Sequence, residues 1–116
     1  MKKFFVAIAL IMVMATGAWG EGKVGQTSDG ICAVGSGYLR GILVHTDGTY
    51  AVTLNVYDNT AASGTKLFST WTVTTSATNR TSAIDFAERE CPFSTGVYVD
   101  ITTSGTVTYD CYYTPR

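Results

Sequence analysis

The sequence predicts an all-β domain, an antiparallel β-sandwich of about seven short strands with a jelly-roll or immunoglobulin-like topology. Three observations lead there. First, residues 50–57 alternate strictly: Val52, Leu54 and Val56 share one phase, and Thr53, Asn55 and Tyr57 share the other. A period of two places one set in a core and the other on a sheet surface. Second, turn-forming residues punctuate the chain about every ten positions, as Gly35-Ser36-Gly37, Asp47-Gly48, Asp58-Asn59-Thr60, Ser63-Gly64-Thr65 and Thr103-Ser104-Gly105. Third, beyond the first twenty residues the chain is rich in Thr, Val, Tyr and Gly and poor in Leu, a composition suited to pleated surfaces.

Residues 1–20 have the plan of an export signal. Lys2 and Lys3 precede an unbroken apolar run from Phe4 to Val13, and Ala18-Trp19-Gly20 supplies small residues for cleavage before Glu21. The apolar stretch is about 16 residues, short of the roughly 20 that cross a bilayer as a helix. No stable membrane span is expected after cleavage, and the destination is secreted, periplasmic or cell-surface. Residues 21–30 (EGKVGQTSDG) are polar and Gly-rich without periodicity and are read as a flexible N-terminal arm. Residues 31–116 form the sandwich domain, a size suited to one core and not two.

The strands follow in order. Residues 31–35 form the first and 38–46 the second. In the second, Leu39 belongs to one phase and Ile42 and Val44 to the other, so the slip at Arg40-Gly41 predicts a bulge. Asp47-Gly48 reads as a hairpin turn into the strand at 50–57. The fourth strand covers 66–74, with Leu67, Trp71 and Val73 in one phase. The fifth covers 81–87, with Ile84 and Phe86 inward. The charged segment Glu88-Arg89-Glu90-Cys91-Pro92 is a crossover in which pairing stops at the proline. Residues 96–102 and 106–113 form a last hairpin, closed by Thr103-Ser104-Gly105 with Gly105 left-handed. That register sets Ile101 opposite Val107, Val99 opposite Tyr109 and Val97 opposite Cys111. Its outer face carries Tyr98, Asp100, Thr108, Asp110 and Tyr112.

Charge narrows the function. Of the eight basic residues, Lys2 and Lys3 lie in the export signal, leaving six against nine acidic ones, a net of −3. Sequence-independent nucleic-acid binding needs several cations on one face, and no basic run is present, so no nucleic-acid partner is expected. Cys32, Cys91 and Cys111 make an odd count. In an oxidising compartment one pair bonds and one thiol is left over, buried or bonded to another chain, and all three pairings stay open. No metal is expected from three scattered cysteines and the single histidine, His45, which reads as a surface residue.

No catalytic constellation and no cofactor site is legible. Asp100 and Asp110 share the outer face of the expected hairpin and read as solvated aspartates, since a dyad there would have nothing to exclude water. Asp58 and Asn59 read as turn residues whose side chains cap the backbone and Asp47 as part of the Asp47-Gly48 turn, with a calcium site from Asp47 or from Asp58 and Asn59 as the minor alternative. The better signal is aromatic. Tyr57, Tyr98 and Tyr112 all fall in the solvent phase, where tyrosines anchor interfaces or stack on sugars, or else pair across strands and only stiffen the sheet. With Asp100 and Asp110 they make the candidate interface or ligand face.

The stretch Tyr57-Asp58-Asn59-Thr60-Ala61-Ala62-Ser63-Gly64-Thr65-Lys66 resembles one found in small virion-associated β-sandwich proteins of tailed bacteriophages. The resemblance extends to Leu39-Arg40-Gly41-Ile42 with Val44 and Thr46, to Pro92-Phe93, to Thr95-Gly96-Val97 and to the turn Thr103-Ser104-Gly105-Thr106. It covers about residues 37–113, and it implies a β-sandwich with an assembly role and no catalytic residues to carry over. The export signal and the cysteines move that role outside the cytoplasm.

The expected function is therefore an exported, non-enzymatic structural protein, a subunit of an extracellular or virion-like assembly. It would act by self-association or attachment to an envelope or extracellular protein. The alternative is a carbohydrate- or cell-surface-binding module in which Tyr98 and Tyr112 stack on sugar rings and Asp100 and Asp110 bond their hydroxyls.

Overall fold

A computed structural model describes residues 21–116 except Glu88; the expected export signal lies outside the described residues. Among the described residues there are nine strands: β1 (Glu21–Gln26), β2 (Gly30–Val34), β3 (Gly37–Thr46), β4 (Val52–Tyr57), β5 (Trp71–Val73), β6 (Thr81–Asp85), β7 (Pro92–Phe93), β8 (Gly96–Thr102) and β9 (Val107–Pro115). They form two antiparallel sheets. One has the order β1-β9-β3-β6, with β7 also on β3, and the other has the order β2-β8-β4-β5.

The pairing is nested. The first strand pairs with the last, β2 with β8, β3 with β6 and β7, and β4 with β5, and the remaining pairs β3–β9 and β4–β8 knit the halves together. The chain is thus one long hairpin folded back on itself, and apart from β4–β5 and the β6–β7 step each connection carries it from one sheet to the other.

The core lies between the sheets. From β3 it takes Leu39, Ile42 and Val44; from β4, Val52, Leu54 and Val56; from β8, Val97 and Val99; from β9, Val107, Tyr109 and Cys111. The predicted alternation of β4 holds at every position. The predicted bulge is also present: the β3–β9 register shifts between Leu39 and Gly41, which lets Leu39 and Ile42 both point inward despite their odd spacing. Cys32 on β2 and Cys111 on β9 form a disulfide, with Cα atoms 6.3 Å apart, so the bond ties one sheet to the other. Cys91 is the free thiol and is buried.

Several expectations are corrected. Residues 21–26 are not an arm; they pair with β9, and the ladder bends at Gly25, whose φ is +71°. Residues 66–74 are not one strand. Only 71–73 pair in register, because Leu67 and Phe68, neighbours in sequence, both pack against the core, which a period of two forbids. Phe68 there meets Phe86, with ring centroids 5.6 Å apart.

Pairing does not stop at Pro92. Pro92 lies opposite Tyr38, and the bond next to it runs from the Leu39 N–H to the Cys91 carbonyl, so the missing proline donor is not needed. The two expected hairpins at Asp47-Gly48 and Thr103-Ser104-Gly105 are inter-sheet crossings, since β3 and β9 lie in one sheet and β4 and β8 in the other. The inward set of the last two strands is as expected, but its members face each other across the core. Gly105 does not adopt positive φ. Its requirement is steric, because the Asp47 carboxylate and the Tyr50 ring pack where a Cβ would stand.

Candidate functional site

The five residues predicted to share one face are divided between two. Tyr57, Tyr98 and Asp100 lie on the outer face of the β2-β8-β4-β5 sheet, whereas Asp110 and Tyr112 lie on the outer face of the opposite sheet. A single sugar cannot touch Tyr98 and Tyr112 together, and that pairing is withdrawn.

On the first of these faces Tyr57 stands opposite Tyr98 and Asn55 opposite Asp100. Thr70 donates its hydroxyl to Asn55 Oδ1 at 2.6 Å and accepts from Lys66 Nζ at 2.9 Å. Burial pushes the Asp100 carboxyl up, helped by the negative charge and hydrogen bond of Asp29, while Lys66 pulls the other way. Asp29 is itself fixed to the sheet, accepting the Ile101 N–H at 2.7 Å. On this face the polar groups largely engage one another.

On the opposite face Asp110 is not solvated. It is 9% exposed and accepts the Gly25 N–H at 2.8 Å, so it closes the β1 bend. His45 is a surface residue as expected. Its Nδ1 lies 3.1 Å from Thr81 Oγ1, and its Nε2 lies 3.9 Å from Asp110, too long for a hydrogen bond. The His45 side chain is 45% exposed, so water competes at this trio, unlike a water-excluded catalytic site.

Tyr112 occupies a row that reads Gly22, Tyr112, Gly41, Asp85 across β1, β9, β3 and β6. Glycines on both sides leave the ring without neighbouring side chains in its row. It leans towards Gly22, where a Cβ would lie 3.0 Å from its Cδ1, and it remains 42% exposed. Beyond it, Gly41 floors a notch of about 310 Å³ between Tyr112 and Asp85, with Leu43 and Arg40 on the remaining sides. Gly41 is required there, since a Cβ would come within 2.8 Å of the Ile84 carbonyl.

Along the same face, Arg40 Nη1 donates to Thr114 Oγ1 at 3.3 Å, while its Nε is buried without a hydrogen-bond partner. Thr114 stands opposite Tyr38. Arg116 donates to the Tyr38 hydroxyl at 3.0 Å, with its guanidinium 5.1 Å from the ring centroid. Arg89, with φ +74°, completes a second hollow of about 280 Å³ with Tyr38, Thr114, Pro115 and Arg116. None of these four residues, Tyr38, Arg40, Arg89 and Arg116, was singled out from the sequence for function. They are scattered along it, and only the alternating phase of Tyr38 offered a signal.

The turn aspartates act on backbone. Asp47 accepts from the N–H groups of Thr49, Tyr50 and Thr106 at 2.9, 3.2 and 3.0 Å, which hold its carboxyl below the ordinary range. Asp58 accepts from Thr95 N–H at 2.8 Å, from Ser94 N–H and Oγ at 3.1 Å and from Gly96 N–H at 3.3 Å. Burial pushes Asp58 up, but these donors outweigh it and the carboxyl sits low. Asn59 accepts the Thr60 N–H and donates to the Ser63 carbonyl. Among the described residues no group of three or more His, Cys, Asp or Glu side chains is placed to hold a metal ion, and no helix is long and apolar enough to cross a membrane. Comparison with protein-family models, curated proteins and solved structures finds no match to the chain.

Proposed function

We propose that this protein is an exported, non-enzymatic β-sandwich subunit that self-associates through the open side formed by β1 and β2. The carrying observation is the state of that edge. Five large hydrophobic residues are exposed among the described residues, and three of them, Val24, Ile31 and Val34, at 65, 42 and 75%, lie on these two adjoining end strands. Strand β2 (GICAV) has neither a charge nor a proline to guard its free backbone groups, the usual defences of an edge strand. The disulfide at Cys32 anchors that strand to the opposite sheet, so the edge is a fixed template for a second copy of the chain.

The nested strand order supports a jelly roll, an architecture shared by capsid and lectin domains; this is an analogy of fold. The likeness to phage virion proteins agrees with it. Export is supported by the pattern of residues 1–20 and by a disulfide suited to an oxidising compartment. Light scattering coupled to size-exclusion chromatography tests the proposal. The wild type is expected to form oligomers that Ile31→Lys with Val34→Lys dissolves into folded monomers. A wild-type protein that stays monomeric at high micromolar concentration sinks it.

A second reading, a carbohydrate-binding module, is favoured by the glycine-floored notch beside Tyr112. Its site is the outer face of the β1-β9-β3-β6 sheet and not the five residues first grouped together.

A further inference from the structure

In a chain with a net charge of −3 beyond residue 20, three of the six remaining cations gather at one end of one face. Arg40 bonds to Thr114, Arg116 bonds to and stacks over Tyr38 opposite Thr114, and Arg89 lines the same hollow. Among the described residues no carboxylate forms an ion pair with any of the three. Arg40 also carries a buried Nε without a hydrogen-bond partner, so its guanidinium is not satisfied within the protein.

The arginine end continues directly into the Tyr112 notch. Tyr112 and Thr114 are alternate residues of β9 on the same face, about 7 Å apart. The surface therefore offers, in order, an aromatic ring over a glycine floor, a half-buried guanidinium, then a second ring flanked by two guanidiniums. Aromatic rings take the apolar faces of pyranose rings, and guanidinium groups take carboxylate or sulfate in paired hydrogen bonds. Asp85, at the far rim of the notch, suits a sugar hydroxyl and disfavours a uniformly charged polyanion there.

From this we infer that the outer face of the β1-β9-β3-β6 sheet binds an acidic oligosaccharide, a sugar chain bearing carboxylate or sulfate groups. A sugar seated on Tyr112 places its charged neighbour at Arg40 and Arg116. Nucleic acid is the weaker fit, because three cations on an acidic protein neutralise too few phosphates. The inference rests on the carbohydrate-binding reading and adds to it the charge class and the residues.

The test is a calorimetric titration of the full chain, expressed with export, against four probes: oligogalacturonate, dextran sulfate, neutral dextran and polyglutamate. Binding to oligogalacturonate or dextran sulfate is expected, weakened by salt, with the better of the two naming the anionic group. Neutral dextran and polyglutamate should bind at least tenfold more weakly. Arg116→Ala, Arg89→Ala and Tyr112→Ala, all at exposed positions, should each weaken binding about tenfold, as loss of one charge-assisted bond or one stacked ring does. Tyr57→Ala, on the other face, should leave it unchanged, and thermal melts check that every variant is folded. Equal binding to polyglutamate, or acidic-sugar binding indifferent to the three variants, overturns the inference. Binding to neutral dextran alone overturns it while leaving the carbohydrate reading standing, and binding to no sugar removes both.

Discussion

Cys32 and Cys111, 79 residues apart in the chain, are bonded across the core, and their bond joins β2 of one sheet to β9 of the other. Closing so long a loop removes much of the unfolded chain's freedom, which the chain-entropy account values at about 4.5 kcal/mol. Reduction, or Cys32→Ala with Cys111→Ala, should lower stability by about that amount in a denaturant titration. Cys91→Ala should leave the oxidised protein's bridge intact. The Cys91 thiol is pushed up by burial and then by the charge of Asp58, so it should alkylate only in denaturant.

Asp58 fastens the turn after β4 to the start of β8 through four donors of Ser94, Thr95 and Gly96. Asp58→Ala should cost about 2 kcal/mol, since it strands several N–H groups at once. Asp58→Asn should cost less, because its Oδ1 still accepts. Chemical denaturation of the two variants separates these outcomes.

Acid should destabilise the fold through Asp47 and Asp58. Both carboxyls are held low when folded, so the unfolded chain takes up protons first, at about pH 4. Their contribution is complete above that pH and is lost as pH falls through their folded values. Asp100 has the opposite sign: raised in the fold by burial and then by Asp29, its stabilising share exists at low pH and disappears as pH rises. Asp100→Asn should therefore be neutral or stabilising at pH 7 and lose that advantage near pH 3, readable as melting temperature against pH.

Gly41 should not tolerate a side chain. A Cβ there would press on the Ile84 carbonyl, backbone of the paired strand, at 2.8 Å. Gly41→Ala should cost about 1–3 kcal/mol by overpacking, seen as a lowered denaturant midpoint. If the notch binds as inferred, a refolded variant should also have lost its sugar affinity.

Much of this fold was legible residue by residue. The inward sets of β3, β4, β8 and β9 and the bulge at Arg40-Gly41 follow from spacing alone, because burial imposes period two and a bulge interrupts it. Strand β1 was not legible, since EGKVGQ has no alternating apolar set; β9 and the Asp110–Gly25 bond hold it in the sheet. The short β5 escaped because Leu67 and Phe68 mimic the start of a strand while both pack on the core's flank. The candidate face was misdrawn for a different reason. Tyr98 and Tyr112 were each placed outward, and each is outward, but on opposite sides of the molecule.

By itself, then, the sequence determined the class of object and the inside or outside of most positions: an all-β chain, with turns at Asp47-Gly48, Asp58-Asn59 and Thr103-Ser104-Gly105. Only the tertiary structure decided which sheet each strand joins, which cysteines bond, and that Arg40, Arg89 and Arg116 meet around Tyr38 and Thr114. The physical reason is one of symmetry. Alternation reports whether a side chain faces the core, and two strands satisfy it equally as neighbours in one sheet or as opposites across the core. Choosing between those arrangements takes the packing of the whole chain.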